Sequence, residues 1–518
     1  MKKTILFCFV SILLVNFKSS QAEEQKPNII FILSDDHTAQ AWGIYNGIYQ
    51  DLVKNDNIKR LAAEGTVLNN VFCTNSICVP SRASILTGKY SHQNGIYTLS
   101  EGLDPDSMHI AKLLQTAGYE TAIIGKWHLK KQPSGFDHFL VLPGQGRYDD
   151  PILKTATDWK DGNQGGSVYK GYSADVIGDQ SIQWLRARKK EKPFMLMMHF
   201  KATHGPFDYP DRYKDLYTDI TLPEPASLYD FSSSSNQRTF PGQHIEELGR
   251  RMVYGTKNPD SYWGSAPGLP FSLEGLDSIA ARKKVYQLFT KNFLRAGAAI
   301  DDNIGKVLDY LDEAGLSKNT VVIYTSDQGY FMGEHGFFDK RLMYEESLRM
   351  PFVIRYPKEV PAGQRLDDMI LNVDFPLLFA DYAALPTPTG MQGRSFRSNL
   401  QGQTPTDWRE SMYYRYWLHH PLYPAHFGIR NQRYKLIFYY GQGLDKPGAS
   451  EETTGPAWEF FDLQNDPYEM HNAYQDGDYQ DIIADMKKEL IRLRRELKDT
   501  DPGVETMQEI LSQHLAKE

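Results

Sequence analysis

Cysteine is scarce in this chain. Among its 518 residues only three are cysteine, Cys8, Cys73 and Cys78, which excludes a small scaffold held together by disulfides. After residue 17 no apolar run is long enough to span a bilayer, so we expect no membrane span in the mature chain. The net charge of −8 gives no indication of nucleic-acid binding, which favours a basic patch. The composition is that of a globular protein with more than one core.

The first 22 residues are typical of a secretory signal peptide. Lys2 and Lys3 precede an apolar run at 4–17, and the small residues Ser20 and Ala22 fit cleavage after Ala22. Cys8 lies inside the apolar run and not after a small-residue box, which argues against a lipid anchor. We therefore expect an exported protein that is periplasmic or secreted.

Alternating apolar strands and amphipathic helices predict an α/β fold, with a large, mostly parallel sheet sandwiched by helices. The pattern predicts strands at 28–33, 120–124, 194–200, 320–325 and 350–356. It predicts helices at 57–65, 107–117, 173–190, 278–303 and 304–314. Residues 136–170 show little periodicity and are predicted to form long loops over the sheet. Residues 208–275 are predicted to be an insertion with few regular elements that forms one wall of a cleft.

The pattern changes near residue 400. Short strands predicted at 411–416, 428–430, 434–440 and 459–462, followed by an amphipathic helix at 478–498, indicate a smaller C-terminal α+β subdomain with an antiparallel sheet. We therefore expect three parts: a signal peptide at 1–22, a large α/β domain at 23–400 and a C-terminal subdomain at 401–518.

Four predicted strands end in polar clusters, namely Asp35/Asp36, Lys126/His128, His204 and Asp327/Gln328. Adjacent carboxylates repel each other unless a cation lies between them, and hard oxygen ligands suit Ca²⁺ or Mg²⁺. Each cluster alone fits helix capping or solvation about as well. Ligand sites of open α/β sheets form beyond the carboxyl ends of the strands. Four such clusters therefore favour a single site.

Residues 78–88 read CVPSRASILTG. This spacing predicts a helix near Pro80 with Cys78 just before it, where the positive end of the helix dipole would lower the pKa of the thiol and attract anions. From these residues alone two alternatives stay open. Cys78 is a buried cysteine at a capped helix, or it forms a disulfide with Cys73 in an oxidising compartment.

The same stretch matches the signature C-x-P-S-R-x-x-x-L-T-G without a gap. The chain also has further motifs of the formylglycine-dependent sulfatases, in the order in which that family has them. Nearly the whole mature chain therefore resembles this family, which belongs to the alkaline-phosphatase-like superfamily. It is most similar to bacterial carbohydrate sulfatases of the N-acetylglucosamine-6-sulfatase type. The further motifs are Ser34-Asp35-Asp36, Gly125-Lys126-Trp127-His128, His204-Gly205-Pro206 and Ser326-Asp327-Gln328-Gly329 followed by Lys340.

The resemblance implies a sulfatase catalytic domain at 23–400 with an alkaline-phosphatase-like fold. It implies that a formylglycine-generating or sulfatase-maturating enzyme converts Cys78 to formylglycine (3-oxoalanine), whose hydrate attacks sulfur. It also implies one bound calcium ion, Ca²⁺, with the ligands Asp35, Asp36, modified Cys78, Asp327 and Gln328. Many relatives have Asn or His at the position of Gln328, so its longer side chain leaves the metal geometry open.

Further roles follow from the same resemblance. Arg82 and Lys126 would hold the formylglycine hydrate, and Lys126 and Lys340 would neutralise the sulfate oxygens. His128 would accept a proton from the hydrate, and His204 would donate one to the leaving oxygen. These groups would provide electrostatic stabilisation and acid–base help to a transition state that carries negative charge.

The implied function is an exported sulfatase that acts on a glycosaminoglycan, mucin-type or algal polysaccharide fragment. His426 and Arg430 are candidates for holding the sugar, although a strand-edge histidine and a surface arginine are equally compatible with the pattern. Two other functions stay open. One is a phosphonate or phosphodiester hydrolase on the same scaffold. The other is a sulfated-glycan-binding protein in which Cys78 is unmodified and forms a disulfide with Cys73.

Overall fold

The structure, a computed structural model, describes residues 25–230, 240–501 and 504–515. The predicted signal peptide at 1–22 lies outside the described residues. Within the described ranges, every helix is too short or too polar to cross a membrane.

The strands form one large sheet and several smaller ones. In chain order they are β1 Asn28–Asp35, β2 Thr66–Leu68, β3 Val71–Phe72, β4 Glu120–Lys126, β5 His138–Leu142, β6 Ile152–Leu153, β7 Ser167–Val168, β8 Phe194–Thr203, β9 Thr320–Ser326, β10 Phe331–Met332, β11 Phe338–Asp339, β12 Phe352–Arg355, β13 Gln364–Leu366, β14 Ile370–Leu371, β15 Ser411–Tyr416, β16 His426–Asn431, β17 Tyr434–Tyr439 and β18 Ala457–Asp462. The α-helices are Asp56–Ala63, Cys78–Thr87, Ser91–Asn94, Ile110–Thr116, Ser173–Ala187, Ile245–Lys257, Ser278–Glu313, Glu345–Leu348, Phe375–Tyr382, Arg397–Leu400, Gln480–Glu496 and Glu505–His514.

The large sheet has the strand order β13-β2-β12-β9-β1-β8-β4-β5. Its strands pair in parallel except for β12, which is antiparallel to both β2 and β9. The prediction of a mostly parallel sheet sandwiched by helices is confirmed.

Strand β1 lies near the middle of this sheet, and all of its residues are buried. Its side chains alternate between the two faces, as the pleat of a strand requires. Ile29, Phe31 and Leu33 enter one hydrophobic core, whereas Ile30 and Ile32 enter the other. The continuous apolar run in the sequence therefore reflects a strand with a packed layer on each side.

Strands β9, β1, β8 and β4 are neighbours and run parallel. Their carboxyl ends therefore meet at one edge of the sheet. This topology brings the four predicted polar clusters, which are far apart in the sequence, to the same place.

The helix Ser278–Glu313 is continuous, so the predicted break between Asn303 and Ile304 is wrong. Gly305 follows the expected break, but its role is close packing. A Cβ atom at this position would lie 2.6 Å from Oδ1 of Asn57 in the neighbouring helix. Glycine here lets two helices approach each other and does not end either of them.

The predicted loop 136–170 contains a regular element, since strand β5 forms one edge of the large sheet inside it. The predicted insertion 208–275 contains the helix Ile245–Lys257. The abundance of Gly, Tyr and Pro around these elements hid their short periodic segments.

The C-terminal sheet has the order β15-β16-β17-β18 with antiparallel pairing throughout, and the helix Gln480–Glu496 packs on it. The prediction of an antiparallel sheet followed by a helix is confirmed. Phe427 and Leu436 of this sheet belong to the same buried cluster as Leu33 of the large sheet. The boundary near residue 400 stays a prediction.

Candidate active site

Cys78 is the first residue of the helix Cys78–Thr87, whose residues are all buried. Gly88 ends the helix in the left-handed conformation, with φ of 63°. The Cys78 sulfur lies 3.4 Å from Oδ1 of Asp35 and 3.8 Å from Nε2 of Gln328. Cys73 and Cys78 are both free thiols, which contradicts the disulfide alternative.

The thiol of Cys78 is not activated by its helix. Burial raises its pKa, and the nearby carboxylate of Asp35 raises it further, against the opposing charges of Lys340 and Lys126. The expectation that the helix start lowers the pKa of Cys78 is therefore wrong. Desolvation and a neighbouring negative charge outweigh a partial dipole charge at this position.

Three buried carboxylates converge beside Cys78. Oxygen atoms of Asp35, Asp36 and Asp327 all lie within 4.8 Å of one another, and the Asp36 backbone N–H donates to Oδ1 of Asp327 at 3.1 Å. Burial raises the pKa of Asp36 to about 6, opposed by the charge of Lys340 and helped by that of Asp35. Burial likewise raises the pKa of Asp327 to about 7, against Arg82 and with Asp35. Such a group favours a cation between its oxygens.

The donor set around these carboxylates fits a hard cation. Nε2 of Gln328 donates to Asp36, and Oε1 of Gln328 is buried without a hydrogen-bond partner in the described structure. A bound metal would satisfy such an oxygen. Carboxylate and amide oxygens are the ligands that Ca²⁺ prefers.

Three cations surround the carboxylates. Nε of Arg82 lies 2.9 Å from Asp327, and its Nη1 donates to the Lys126 carbonyl at 2.8 Å. Lys126 forms an ion pair with Asp35, and Lys340 lies 2.6 Å from Asp36. Burial would raise the pKa of Asp35, but Lys126 and Arg82 outweigh it and hold that pKa well below its usual value.

His204 lies at the mouth of this cluster, with Nε2 3.7 Å from Oδ2 of Asp36 and Nδ1 3.1 Å from the Gly205 carbonyl. Burial, and then Lys340, lowers its pKa well below the usual value. His128 has φ of 59°, and its buried Nδ1 has no hydrogen-bond partner in the described structure. Burial, and then Lys126, also lowers the pKa of His128. Both imidazoles are thus held neutral and able to accept a proton.

Lys201 is a fourth cation that the sequence reasoning did not select. It is buried near the end of β8, with Nζ 3.5 Å from the Gly205 carbonyl and 4.6 Å from the ring centroid of Tyr148. Burial, and then Lys126, lowers its pKa to about 7. Its position three residues before His204, at a strand end, was the available signal.

A cavity of about 210 Å³ opens above Cys78, and His204 and Lys340 line it. Part of its wall comes from residues 208–275, as predicted. That segment contributes Arg251, Tyr262 and Trp263. Gln145 lines the opposite part and accepts a hydrogen bond from Lys126 at 2.6 Å. Aromatic rings and cations around a small cavity suit a sugar that carries an anion.

The structure does not place His426 and Arg430 in this cavity. His426 is fully buried and packs against Tyr416 and Tyr439. Arg430 is 4% exposed and pairs with Glu345 at 3.0 Å. Arg430 was expected to hold the sugar or to lie on the surface. Neither expectation is correct, because its guanidinium group forms a buried ion pair.

Comparison with known proteins identifies the family. The sequence profile described as "Sulfatase" matches residues 27–382, which is more than half of the chain. The chain belongs to the sulfatase family. A second profile, "N-sulphoglucosamine sulphohydrolase, C-terminal", matches residues 333–496 of this sulfatase. The protein is therefore a sulfuric ester hydrolase, and the alternative of a glycan-binding protein without activity is not retained.

Similarity to curated relatives narrows the type of ester that this sulfatase hydrolyses. This sulfatase is 37% identical to an N-acetylglucosamine-6-O-sulfatase of Bacteroides thetaiotaomicron, over 96% of this chain and 92% of the relative. It is 26% identical to an arylsulfatase of Clostridium perfringens, over 90% of this chain and 94% of the relative. The first similarity extends over nearly the full length of both chains. The protein is a carbohydrate sulfatase that hydrolyses sulfate esters.

Solved structures agree with this assignment. BT4656 in complex with its substrate D-glucosamine-2-N,6-O-disulfate matches with a TM-score of 0.82 and 36% identity, over 92% of this chain and 99% of that one. The alkaline-phosphatase-like fold is thereby confirmed. A phosphonate monoester hydrolase of Silicibacter pomeroyi matches with a TM-score of 0.68 and 20% identity, over 92% of this chain and 97% of that one. At that identity the likeness shows the fold alone.

Proposed function

We propose that this protein is an exported sulfatase that removes the 6-O-sulfate from a glucosamine residue of a sulfated glycan. The observation that carries the proposal is the convergence of Asp35, Asp36 and Asp327 on Cys78, at the base of a cavity lined by cations. The similarity to the N-acetylglucosamine-6-O-sulfatase supports the choice of sugar and ester position.

We further propose that a maturating enzyme converts Cys78 to formylglycine and that one Ca²⁺ is held by Asp35, Asp36, Asp327, Gln328 and the modified Cys78. The buried oxygens and the unpartnered Oε1 of Gln328 fit such an ion. When bound, the ion supplies Lewis-acid stabilisation of negative charge on the sulfate. The raised pKa of the Cys78 thiol accords with a residue that works only after modification.

The charged side chains of the site fit the stages of the reaction. Lys126 and Lys340 would neutralise the oxygens of a sulfate above Cys78, and their ion pairs with Asp35 and Asp36 beside Cys78 support this role. Arg82 holds Asp327 and the Lys126 carbonyl, and so fixes the base of the site. His204 lines the cavity and would donate a proton to the leaving sugar oxygen once the negative charge of a bound sulfate favours its protonated form. His128 would take a proton from the nucleophile.

Export and domain organisation remain part of this proposal. Lys2, Lys3 and the apolar run at 4–17 support a signal peptide at 1–22. The change from the large sheet to the antiparallel sheet supports a boundary near residue 400, between a catalytic domain at 23–400 and a subdomain at 401–518. The proposed location is periplasmic or secreted.

The test uses the mature chain, coexpressed with a sulfatase-maturating enzyme. Free sulfate is measured with N-acetylglucosamine 6-sulfate, its 3-sulfate isomer and galactose 6-sulfate, and release of the phenol is measured with an aryl phosphonate monoester and an aryl phosphodiester. We expect the highest kcat/KM with the 6-sulfated glucosamine substrate. Preferential turnover of the phosphonate or the phosphodiester would overturn the proposed activity. A preference for another sulfated sugar would overturn only the sugar and the ester position.

A further inference from the structure

A second cavity of about 480 Å³ lies beside the catalytic one. Its lining includes Trp127, His128 and Trp159. Two chain segments separate the cavities, because Leu99 and Gln145 line the catalytic cavity whereas the adjacent Ser100 and Gly144 line the second. The volume falls within the range of about 300–1,000 Å³ that is usual for ligand sites. The cavity is large enough for a sugar residue next to the one that reacts.

The lining of the second cavity carries an excess of positive charge. Lys130, Lys131 and Lys154 line it against one carboxylate, that of Asp161, which accepts a hydrogen bond from Nε1 of Trp159 at 3.1 Å. Lys131 is exposed and Lys154 is buried. No residue assigned to the reaction, apart from His128, reaches this cavity, so its cations have no role in binding the reacting sulfate.

Lys154 is a fixed cation in this lining. Its Nζ donates to the carbonyls of Lys160 and Gly162 at 2.5 and 2.7 Å and lies 4.5 Å from the ring centroid of Trp159. An ammonium group has three donors, so one remains for a ligand. Trp127 is held by a hydrogen bond from Nε1 to the Lys131 carbonyl at 2.7 Å. The aromatic and cationic parts are therefore positioned before any ligand binds.

We propose that this cavity is an accessory subsite for a second sugar residue that carries an anionic group, a carboxylate or a sulfate. The inference rests on the proposed function and deepens it, because it makes an anionic oligosaccharide, and not a monosaccharide, the preferred substrate. Trp159 provides aromatic surface for a sugar ring, and Lys130, Lys131 and Lys154 provide the counter-charge.

The test compares N-acetylglucosamine 6-sulfate with disaccharides in which the same sugar is linked to a hexuronate, to a sulfated hexosamine or to a neutral hexose. We expect kcat/KM of the anionic disaccharides to exceed that of the monosaccharide about tenfold, and the neutral disaccharide to gain less. Between the two anionic arms, the larger gain identifies carboxylate or sulfate as the group recognised. Equal kcat/KM for the anionic and neutral disaccharides would overturn the proposal.

Two variants locate the effect. Lys131→Gln and Trp159→Ala should each reduce the ratio of kcat/KM between the anionic disaccharides and the monosaccharide, whereas Lys190→Gln, on the exposed surface outside the cavity, should leave that ratio at the wild-type value. Lys131 is exposed, so its variant remains informative if Trp159→Ala does not fold. A wild-type ratio in both cavity variants would contradict the subsite.

Failure of the proposed function is distinguishable from failure of the subsite. If no substrate releases sulfate, the hexuronate disaccharide is titrated into the protein and quenching of tryptophan fluorescence is recorded. Saturable quenching that Lys131→Gln weakens would support the subsite without any turnover. Absence of quenching in the wild type would overturn it.

Discussion

Two regions of this molecule bury charged side chains, and they differ in how those charges are arranged. In the catalytic cluster, defined as Asp35, Asp36, Asp327, Arg82, Lys126 and Lys340, three carboxylates face one another under an open cavity. Each carboxylate of both clusters meets a cation, but in the structural cluster, defined as Glu345, Glu469, Arg430 and Lys435, one cation lies between the two carboxylates. Lys435 lies 3.0 Å from Glu345 and 2.6 Å from Glu469.

The difference shows that buried charged side chains do not by themselves indicate a binding or catalytic site. The structural cluster is closed, since its opposite charges compensate each other in the interior. The catalytic cluster combines mutually repelling carboxylates with the unpartnered Oε1 of Gln328 and Nδ1 of His128. A binding site is marked by groups that still need a partner and that face a cavity.

The largest expected effect is on activity. In Asp36→Asn we expect kcat/KM for the sulfated sugar to fall about a thousandfold, because the substitution removes the charge that pairs with Lys340 and that would hold the proposed metal. The unfolding free energy of the metal-free variant should be equal to or above that of the metal-free wild type, since like-charge repulsion is relieved. Sulfate release and denaturant unfolding measure the two effects. A full loss of stability together with activity would mean that the cluster is structural.

The structural cluster should respond in the opposite way. In Glu345→Gln we expect the unfolding free energy to fall by about 3 kcal/mol, because Arg430 and Lys435 lose a buried partner. The fraction that stays folded should keep its KM. Glu191→Gln, at an exposed glutamate, is the matched control for denaturant unfolding. Unchanged stability in Glu345→Gln would remove the distinction between the clusters.

Removal of the proposed metal should lower stability through the catalytic cluster and leave the structural cluster unaffected. Chelation should lower the unfolding free energy by about 2.7 kcal/mol relative to protein at a calcium concentration of about one hundred times Kd. Calorimetry with and without Ca²⁺ measures this shift. In Asp36→Asn the shift should shrink, whereas Glu345→Gln should retain it. An equal shift in both variants would place the ion elsewhere.

The smallest effect is a pH dependence of stability. Burial lowers the pKa of His335 to about 3, and neither ring nitrogen has a hydrogen-bond partner in the described structure. An unfolded histidine has a pKa of about 6.5, so below this pH the unfolded state binds the extra proton and stability falls as the pH falls towards 3. The expected loss from His335 is about 1.4 kcal/mol per pH unit.

The test measures the denaturant midpoints of the wild type and of His335→Asn between pH 7 and about 4.5. The difference between their pH slopes gives the loss of stability that is due to His335. Asparagine tolerates the positive φ of 57° at this position and carries no proton. His471→Asn, at an exposed histidine, is the control. An unchanged pH slope in His335→Asn would contradict the assignment.

Much of the catalytic cluster was predictable because its residues follow apolar strands directly. The ends of β1, β4 and β9 fixed Asp35, Lys126 and Asp327 at one edge once the sheet was taken to be parallel. The protonation of Cys78 was not predictable in this way. It depends on burial and on carboxylates that lie more than forty positions away in the chain.

The substrate contacts were the least predictable part. His426 and Arg430 were selected as polar residues near a predicted strand, but strand periodicity does not show which face is covered. Packing against Tyr416, Tyr439 and Glu345 covers them here. Conversely, Lys201 and Lys131 lie outside the predicted strands, and only the three-dimensional neighbourhood shows that Lys201 contacts Gly205 and that Lys131 lines the adjacent cavity.

The most direct measurement of the central claim joins the state of Cys78 to its activity. Protein coexpressed with a maturating enzyme is digested, the mass of the peptide that contains Cys78 is determined, and sulfate release is measured for wild type, Cys78→Ala and Cys73→Ala. We predict an aldehyde at Cys78 in active protein, no sulfate release by Cys78→Ala, and retained activity in Cys73→Ala. Active protein that carries only a thiol at Cys78, or full activity of Cys78→Ala, would contradict the account.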